Sequence, residues 1–184
     1  MCASPGDGPA PTVEAAIGLG ANLGEPAATL RSAFDALAAL PGTVLLAASP
    51  LYRSTAWGRE DQPAFVNAVA RLRTGLAPGT LLDALLRIEA AHGRVRADDP
   101  ALRWGPRLLD LDLLLYGEQR IDMPGLRVPH PHLHERAFAL RPLLDVWPDA
   151  SIPGVGAARE LLPAVDDGSV VRLDEDGPRP GRHL

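Results

Sequence analysis

The rhythm of hydrophobic and polar positions changes several times along the chain, and each change marks an element. Val13 to Gly20 is apolar but for Glu14, which predicts a short buried strand. The stretch Gly18-Leu19-Gly20-Ala21-Asn22-Leu23-Gly24 then reads as a tight strand-to-helix connection. Leu30, Phe34, Leu37 and Leu40 fall on one helical face, with Pro26 suited to the first turn and Pro41-Gly42 as the stop. Thr43 to Ala48 predicts a second strand, and Ser49 to Pro63 a long loop, a length that in a compact domain signals function or mobility. Ala64 to Thr74 alternates cleanly: Val66, Ala68, Ala70 and Leu72 share one face, Phe65 and Asn67 the other. A second helix is expected from Thr80, with Asp83 in the capping-box position and Leu81, Leu85 and Ile88 as its apolar stripe; His92-Gly93 ends it. Arg94 to Arg107 is a second long loop, Leu108 to Tyr116 a fourth strand, and Glu135 to Leu144 a further helix. The order βαββαβ predicts an α+β sandwich with helices on one face of an antiparallel sheet. Residues 1–11 are expected to be a disordered N-terminal tail, 12–164 one domain, and 165–184 a C-terminal tail.

One strand breaks its own pattern. In Leu109-Asp110-Leu111-Asp112-Leu113-Leu114-Leu115, the leucines at 109, 111, 113 and 115 are expected to form the core wall. Asp110 and Asp112 then project together from the opposite face, about 6.6 Å apart along the strand. Aspartate is depleted in strands and like charges side by side repel, so a surface accident is the weaker explanation. Two carboxylates at this spacing suit a hard cation such as Mg²⁺, which is held by one or two carboxylates plus substrate phosphates.

Composition sharpens the choice. All 18 basic residues are Arg, so no lysine is present to cradle phosphate or form a Schiff base. Arg94, Arg96, Arg103 and Arg107 lead directly into the aspartate strand. Arginine binds phosphate bidentately, and phosphoryl transfer needs several negative charges neutralised at once. Taken alone these arginines could pair with Asp98 and Asp99 on a solvated loop; beside Asp110 and Asp112 the phosphate reading is the stronger. Phe65 and Asn67 on one face, with Phe138 near Arg136, could sandwich a flat heterocycle and read its edge. His130, His132 and His134 alternate, but Pro129 and Pro131 make the segment irregular, and one histidine contacting phosphate or ribose is a better reading than a zinc site.

The glycines near residue 20 do not spell G-x-G-x-x-G, since Gly24 falls one residue late. A net charge of −5 argues against a general nucleic-acid binder. Cys2 is the only cysteine, which excludes internal disulfides. Met1 to Pro11 has neither the apolar core nor the positive flank of a signal peptide, and no apolar run reaches the roughly 18 residues of a membrane span. The expectation is a cytoplasmic protein, acting as a monomer without membrane or nucleic-acid partners.

The pieces together resemble the 6-hydroxymethyl-7,8-dihydropterin pyrophosphokinases of folate biosynthesis, over residues 15 to 155. The most specific segment runs from Arg103-Trp104-Gly105-Pro106-Arg107 through Leu109-Asp110-Leu111-Asp112. It is supported in order by Gly20-Ala21-Asn22-Leu23-Gly24, Tyr52-Arg53-Ser54, Asp61-Gln62-Pro63-Ala64-Phe65-Val66-Asn67, Ile88-Glu89 with Gly93-Arg94, and Val128-Pro129-His130. The resemblance implies a ferredoxin-like fold and attack of the pterin hydroxymethyl oxygen on the β-phosphorus of ATP, with AMP leaving. It implies that Asp110 and Asp112 bind two Mg²⁺ ions and that Arg94 and Arg107 complete the catalytic set. Leu86, Glu89, Arg94, Arg96, Trp104, Arg107, Leu113, His130 and Arg136 would contact ATP. Ser54, Thr55, Ala56, Trp57, Gly58, Phe65, Asn67 and Phe138 would hold the pterin, and the two long loops would close over the site to exclude water. The sequence departs from the family pattern at Ala21, Leu86 and Pro131, none of which belongs to the metal or arginine set. The competing expectation is a ferredoxin-like domain that binds a nucleotide or metabolite without chemistry.

Overall fold

The computed structural model describes residues 11–55, 62–94 and 106–173. In chain order the elements are β1 (Val13–Ala21), α1 (Pro26–Ala38), β2 (Thr43–Ala48), β3 (Tyr52–Ser54), β4 (Phe65–Thr74), α2 (Pro78–Ala91) and β5 (Asp110–Tyr116). A hairpin of β6 (Ile121–Met123) and β7 (Leu126–Val128), a 3-10 turn (Leu133–Glu135) and α3 (Ala137–Val146) follow. The chain closes with β8 (Ser151–Ile152), β9 (Gly156–Ala157), α4 (Ala158–Val165) and β10 (Val171–Arg172).

The main sheet runs β10-β3-β4-β1-β5, and β2 pairs with the far half of β4. Every pairing is antiparallel. The strand order and the helices between strands are those of a ferredoxin-like α+β fold, as the sequence predicts. β2 and β3 lie end to end along one edge of β4, the first opposite Ala70–Thr74 and the second opposite Phe65–Asn67. Pro50 cannot donate to the ladder between them, which is tolerated on an edge. Ser49 bridges the gap: its N–H donates to Val69 O at 2.9 Å, and its Oγ accepts the Val69 N–H at 2.9 Å. The expected loop from Ser49 to Pro63 therefore begins as an edge strand. β1 also runs on through Ala21, so Gly18 and Gly20 belong to the strand interior and not to a strand-to-helix turn.

Helices cover both faces of the sheet. On the first, Leu30, Phe34 and Leu37 of α1 and Leu81, Leu85 and Ile88 of α2 pack on Ile17, Leu19, Ala70, Leu72, Leu111 and Leu113. Burying each leucine contributes roughly 1.5–3 kcal/mol. On the second, Leu140 and Leu143 of α3 and Ala158 of α4 pack on Ala16, Val69, Leu114 and Leu115. The expected one-sided arrangement becomes three layers, because the alternate residues of β1, β4 and β5 are apolar over half of their length. α2 starts at Pro78, two residues before Thr80, and makes no side-chain cap. The fixed φ of proline suits a first helical position and makes the Asp83 box unnecessary.

β5 does not keep one phase. Ile17 pairs with Leu113 and Ala16 with Leu115, which leaves Leu114 as an extra residue, a β-bulge. Leu109, Leu111 and Leu113 face α1 and α2, while Leu114 and Leu115 both face the α3 side. The expected four-leucine wall is thus three leucines long. The Leu114 carbonyl accepts the His130 N–H at 3.0 Å.

The chain beyond 165 does not leave the domain before 173, against the expected tail. Asp166 pairs with Arg141 of α3, and Val170 is buried with Tyr52 and Ala137. β10 pairs with β3, and the Leu173 N–H donates to Leu51 O at 2.8 Å. Among the described residues no helix is long and apolar enough to cross a membrane.

Candidate active site

The antiparallel registers assemble the site in rows. Gly20 lies opposite Asn67 on β4 and Asp110 on β5, and Gly18 lies opposite Val69 and Asp112. Residues opposed in register share a face, and this is the face covered by α3. The two glycines leave a trough between the aspartates and the β4 residues. A Cβ at Gly18 would meet the Leu114 methyls at 3.3 Å, and one at Gly20 would meet Asn67 Oδ1 at 3.4 Å. The result is a pocket of about 130 Å³ floored by β1, β4 and β5 and roofed by Leu133, Arg136, Phe138 and Ala139. Asp110, Asp112, Arg107 and His130 line it, as do Ser54, Thr55, Phe65 and Asn67.

One side of the pocket is charged. Asp110 accepts from Arg94 Nη1 on one carboxylate oxygen and from Arg107 Nη1 on the other. Arg94 Nη1 also meets Glu89 Oε1 at 2.6 Å. Burial opposes the charge of Arg94, yet Asp110 and Glu89 hold its guanidinium above the ordinary value. Glu89 is only 1% exposed, and its Oε1 accepts the Leu111 N–H at 2.8 Å. It therefore anchors Arg94 and β5 rather than reaching into the pocket, which corrects its expected place among the ATP contacts.

Asp112 sits deeper. Burial and the neighbouring Asp110 raise its pKa to about 7, against the pull of Arg136 and Arg107. Burial and Arg136 push His130 down to about 4, so its ring is neutral at physiological pH. Its Nδ1 accepts the His132 N–H at 3.2 Å, which assigns the ring proton to Nε2. His132 pairs instead with Glu135 at 2.9 Å. Among the described residues no group of three or more His, Cys, Asp or Glu is placed to hold a metal.

The other side is aromatic and neutral. Phe65 and Phe138 both reach the pocket, and Asn67 Nδ2 donates to Ser54 Oγ at 2.8 Å between β4 and β3. The Arg136 guanidinium lies 5.6 Å from the centre of the Phe138 ring.

Ten of the expected residues thus line one pocket, with Arg94 bonded to its edge through Asp110. Three stand elsewhere: Glu89 is buried behind Arg94, Leu86 is a half-buried α2 residue outside the lining, and Leu113 is buried under α1 and α2. Ala56, Trp57, Gly58, Arg96 and Trp104 lie outside the described residues. Sequence reasoning missed Gly18, Gly20, Leu114 and Leu133 as lining. Paired small residues inside an apolar strand were the available signal for the glycines; nothing in the pattern marked the leucines. It also gave Asn22 no role, although the residue is 3% exposed and fully bonded.

The sequence pattern of the 7,8-dihydro-6-hydroxymethylpterin-pyrophosphokinase (HPPK) family matches residues 16–148. The chain is 52% identical over 157 residues to the 2-amino-4-hydroxy-6-hydroxymethyldihydropteridine pyrophosphokinase of Pseudomonas aeruginosa, covering 85% of this chain and 94% of that one. It is 41% identical over 162 residues to the enzyme of the same name from Haemophilus influenzae, covering 88% and 99%. Among solved structures, Plasmodium falciparum HPPK-DHPS with pteroate superposes with a TM-score of 0.65 at 14% identity. That match covers 84% of this chain and 42% of the solved one, and at this identity it bears on the fold alone. With the profile spanning most of the domain and relatives of this identity matched nearly end to end, the chain belongs to the 7,8-dihydro-6-hydroxymethylpterin-pyrophosphokinase family.

Proposed function

We infer that this chain transfers the β,γ-pyrophosphoryl group of ATP to the hydroxymethyl oxygen of 6-hydroxymethyl-7,8-dihydropterin, in tetrahydrofolate biosynthesis. The observation that carries the inference is a single pocket with two chemically opposite sides. Asp110, Asp112, Arg107, Arg136 and His130 line one, and Phe65, Asn67 and Phe138 the other. A triphosphate suits the first and a flat, edge-polar heterocycle the second.

Asp110 is ion-paired with both Arg94 and Arg107. Both guanidiniums are thereby stored beside the place where phosphate charge arrives, and a change of partner from carboxylate to phosphate releases them for catalysis. Arg136 adds a third cation, and the His130 Nε2–H is a neutral donor to phosphate or ribose. Phe65 and Phe138 stack the pterin, and Asn67, held by Ser54, reads its edge. This arrangement aligns the hydroxymethyl oxygen with the β-phosphorus. The new O–P bond forms as the bond from the β-phosphorus to the α,β-bridging oxygen breaks, AMP leaves, and the hydroxyl proton is released. Positioning and charge stabilisation are what such a step requires of a protein.

Asp110 and Asp112 fit divalent metal. They are hard oxygen donors on one strand face, and the raised pKa of Asp112 is the electrostatic strain that a cation relieves. Two Mg²⁺ ions held there would neutralise the triphosphate and polarise the transferring group. The protein acts as a cytoplasmic monomer in this reading.

The test is direct. Purified chain with Mg²⁺, ATP and the pterin releases AMP, and omission of Mg²⁺ or addition of EDTA stops the release. ADP as the product, or AMP formation independent of the pterin, sinks the proposal.

A further inference from the structure

Asn22 stands one residue past the end of β1 and is almost wholly buried, at 3% exposure. Its Oδ1 accepts the Arg107 N–H at 2.8 Å, and its own N–H donates to Arg107 O at 3.0 Å. On the other side Nδ2 donates to Pro63 O at 3.2 Å and to Gln62 Oε1 at 3.4 Å. One carboxamide therefore joins three segments distant in sequence: the end of β1, the lead into β4 and the lead into β5.

Both leads end at the pocket. Arg107 is three residues before Asp110 and bonds its carboxylate. Pro63 is two residues before Phe65, which lines the aromatic side. We propose that Asn22 is a positioning residue for both substrates, setting the Arg107 backbone through its carbonyl oxygen and the approach to Phe65 through its amide nitrogen. The chemistry admits few substitutes. The site demands an acceptor and a two-proton donor on a short side chain, a combination that only Asn supplies at this length. A buried partner left unmade weakens what it holds, so each half of the amide has its own consequence.

The two halves can be separated. Asn22→Asp keeps the acceptor for Arg107 but turns the donor toward Pro63 into a second acceptor facing a carbonyl. Asn22→Ala removes both. The inference rests on the transfer reaction proposed above, and the wild-type full-length chain is the control that separates the two. Steady-state kinetics are measured for wild type, Asn22→Asp and Asn22→Ala, with ATP and pterin varied in turn and melting temperatures recorded alongside.

Asn22→Asp raises the KM for pterin about tenfold and leaves the KM for ATP within about twofold, whereas Asn22→Ala raises both and lowers kcat. A fall in melting temperature with both KM values unchanged overturns the inference, as does an equal rise of both in Asn22→Asp. Should Asn22→Asp not fold, Gln62→Ala takes its place: it removes one acceptor of the Asn22 amide nitrogen and leaves the Arg107 contact intact, and a rise in pterin KM without a rise in ATP KM is required of it. Wild-type chain without pterin-dependent AMP release counts against the reaction and not against the placement of Asn22.

Discussion

The two faces of the central sheet are cut from the same strands and do opposite work. Toward α1 and α2, β1, β4 and β5 present Ile17, Leu19, Ala70, Leu72, Leu111 and Leu113, an unbroken apolar surface. Toward α3 the same strands present apolar residues at one end and Gly18, Gly20, Asn67, Asp110 and Asp112 at the other. The first face stays apolar along its length, even where the bulge at Leu114 shifts the phase of β5. The second does not, and each exception is a floor, a carboxylate or an amide of the pocket. The lesson is positional: the site is found where one face of a sheet turns polar or loses its side chains while the opposite face stays apolar.

The contrast can be attacked from either face. The largest effect belongs to the pocket. Asp110→Ala or Asp112→Ala lowers kcat by about a thousandfold or more while the fold persists, measured by AMP release and circular dichroism. If either variant retains activity near wild type, the carboxylates do not hold the metal. The helical face gives the mirror result. Leu85→Ala, at a site with 0% exposure, costs about 2–5 kcal/mol of stability in denaturant titration with substrate KM values nearly unchanged. A large shift in pterin KM there would show that the two faces are not separable. Gly20→Ala comes next. Its methyl would sit 3.4 Å from Asn67 Oδ1, so pterin KM rises several-fold while the melting temperature changes little.

The smallest effect concerns stability alone. The folded-state pKa of Asp112 lies above its ordinary 3.8, at about 7. A raised acid stabilises the fold fully below the unfolded value and loses that contribution as pH rises through the folded one. The metal-free chain therefore weakens between about pH 4 and about pH 7 from this group. Asp112→Asn removes that loss, so in EDTA its melting temperature at pH 7 exceeds that of wild type although turnover is abolished. A flat wild-type profile over this window counts against the buried carboxyl as the cause.

Much of this was legible in the residues. Asp110 and Asp112 announced themselves because charge inside a leucine strand has no packing explanation, and the alternation of Ala64 to Thr74 placed Phe65 and Asn67 on the right face. Other features were hidden for definite reasons. The bulge at Leu114 changes phase without changing composition, since one leucine replaces another on the wall. β3 falls inside the expected Ser49 to Pro63 loop, and only the tertiary partner Val69 shows that Ser49 carries the ladder up to Pro50. Glu89 is expected among the ATP contacts by resemblance alone, and nothing local marks it as buried; its burial depends on Arg94 and Leu111, which lie further along the chain. The short pairing of Val171 and Arg172 carries almost no local signal at two residues.

That last pairing has a consequence for handling the protein. β3 is a three-residue strand at the rim of the sheet, and without β10 its outer backbone groups would face solvent as an open template for another chain. β10 closes that rim with two residues, too few to recruit a further strand themselves. Cutting the chain before Val170 would leave the helices and the pocket residues in place but uncover the rim. The expected penalty is self-association at high concentration, visible by light scattering before any loss of turnover.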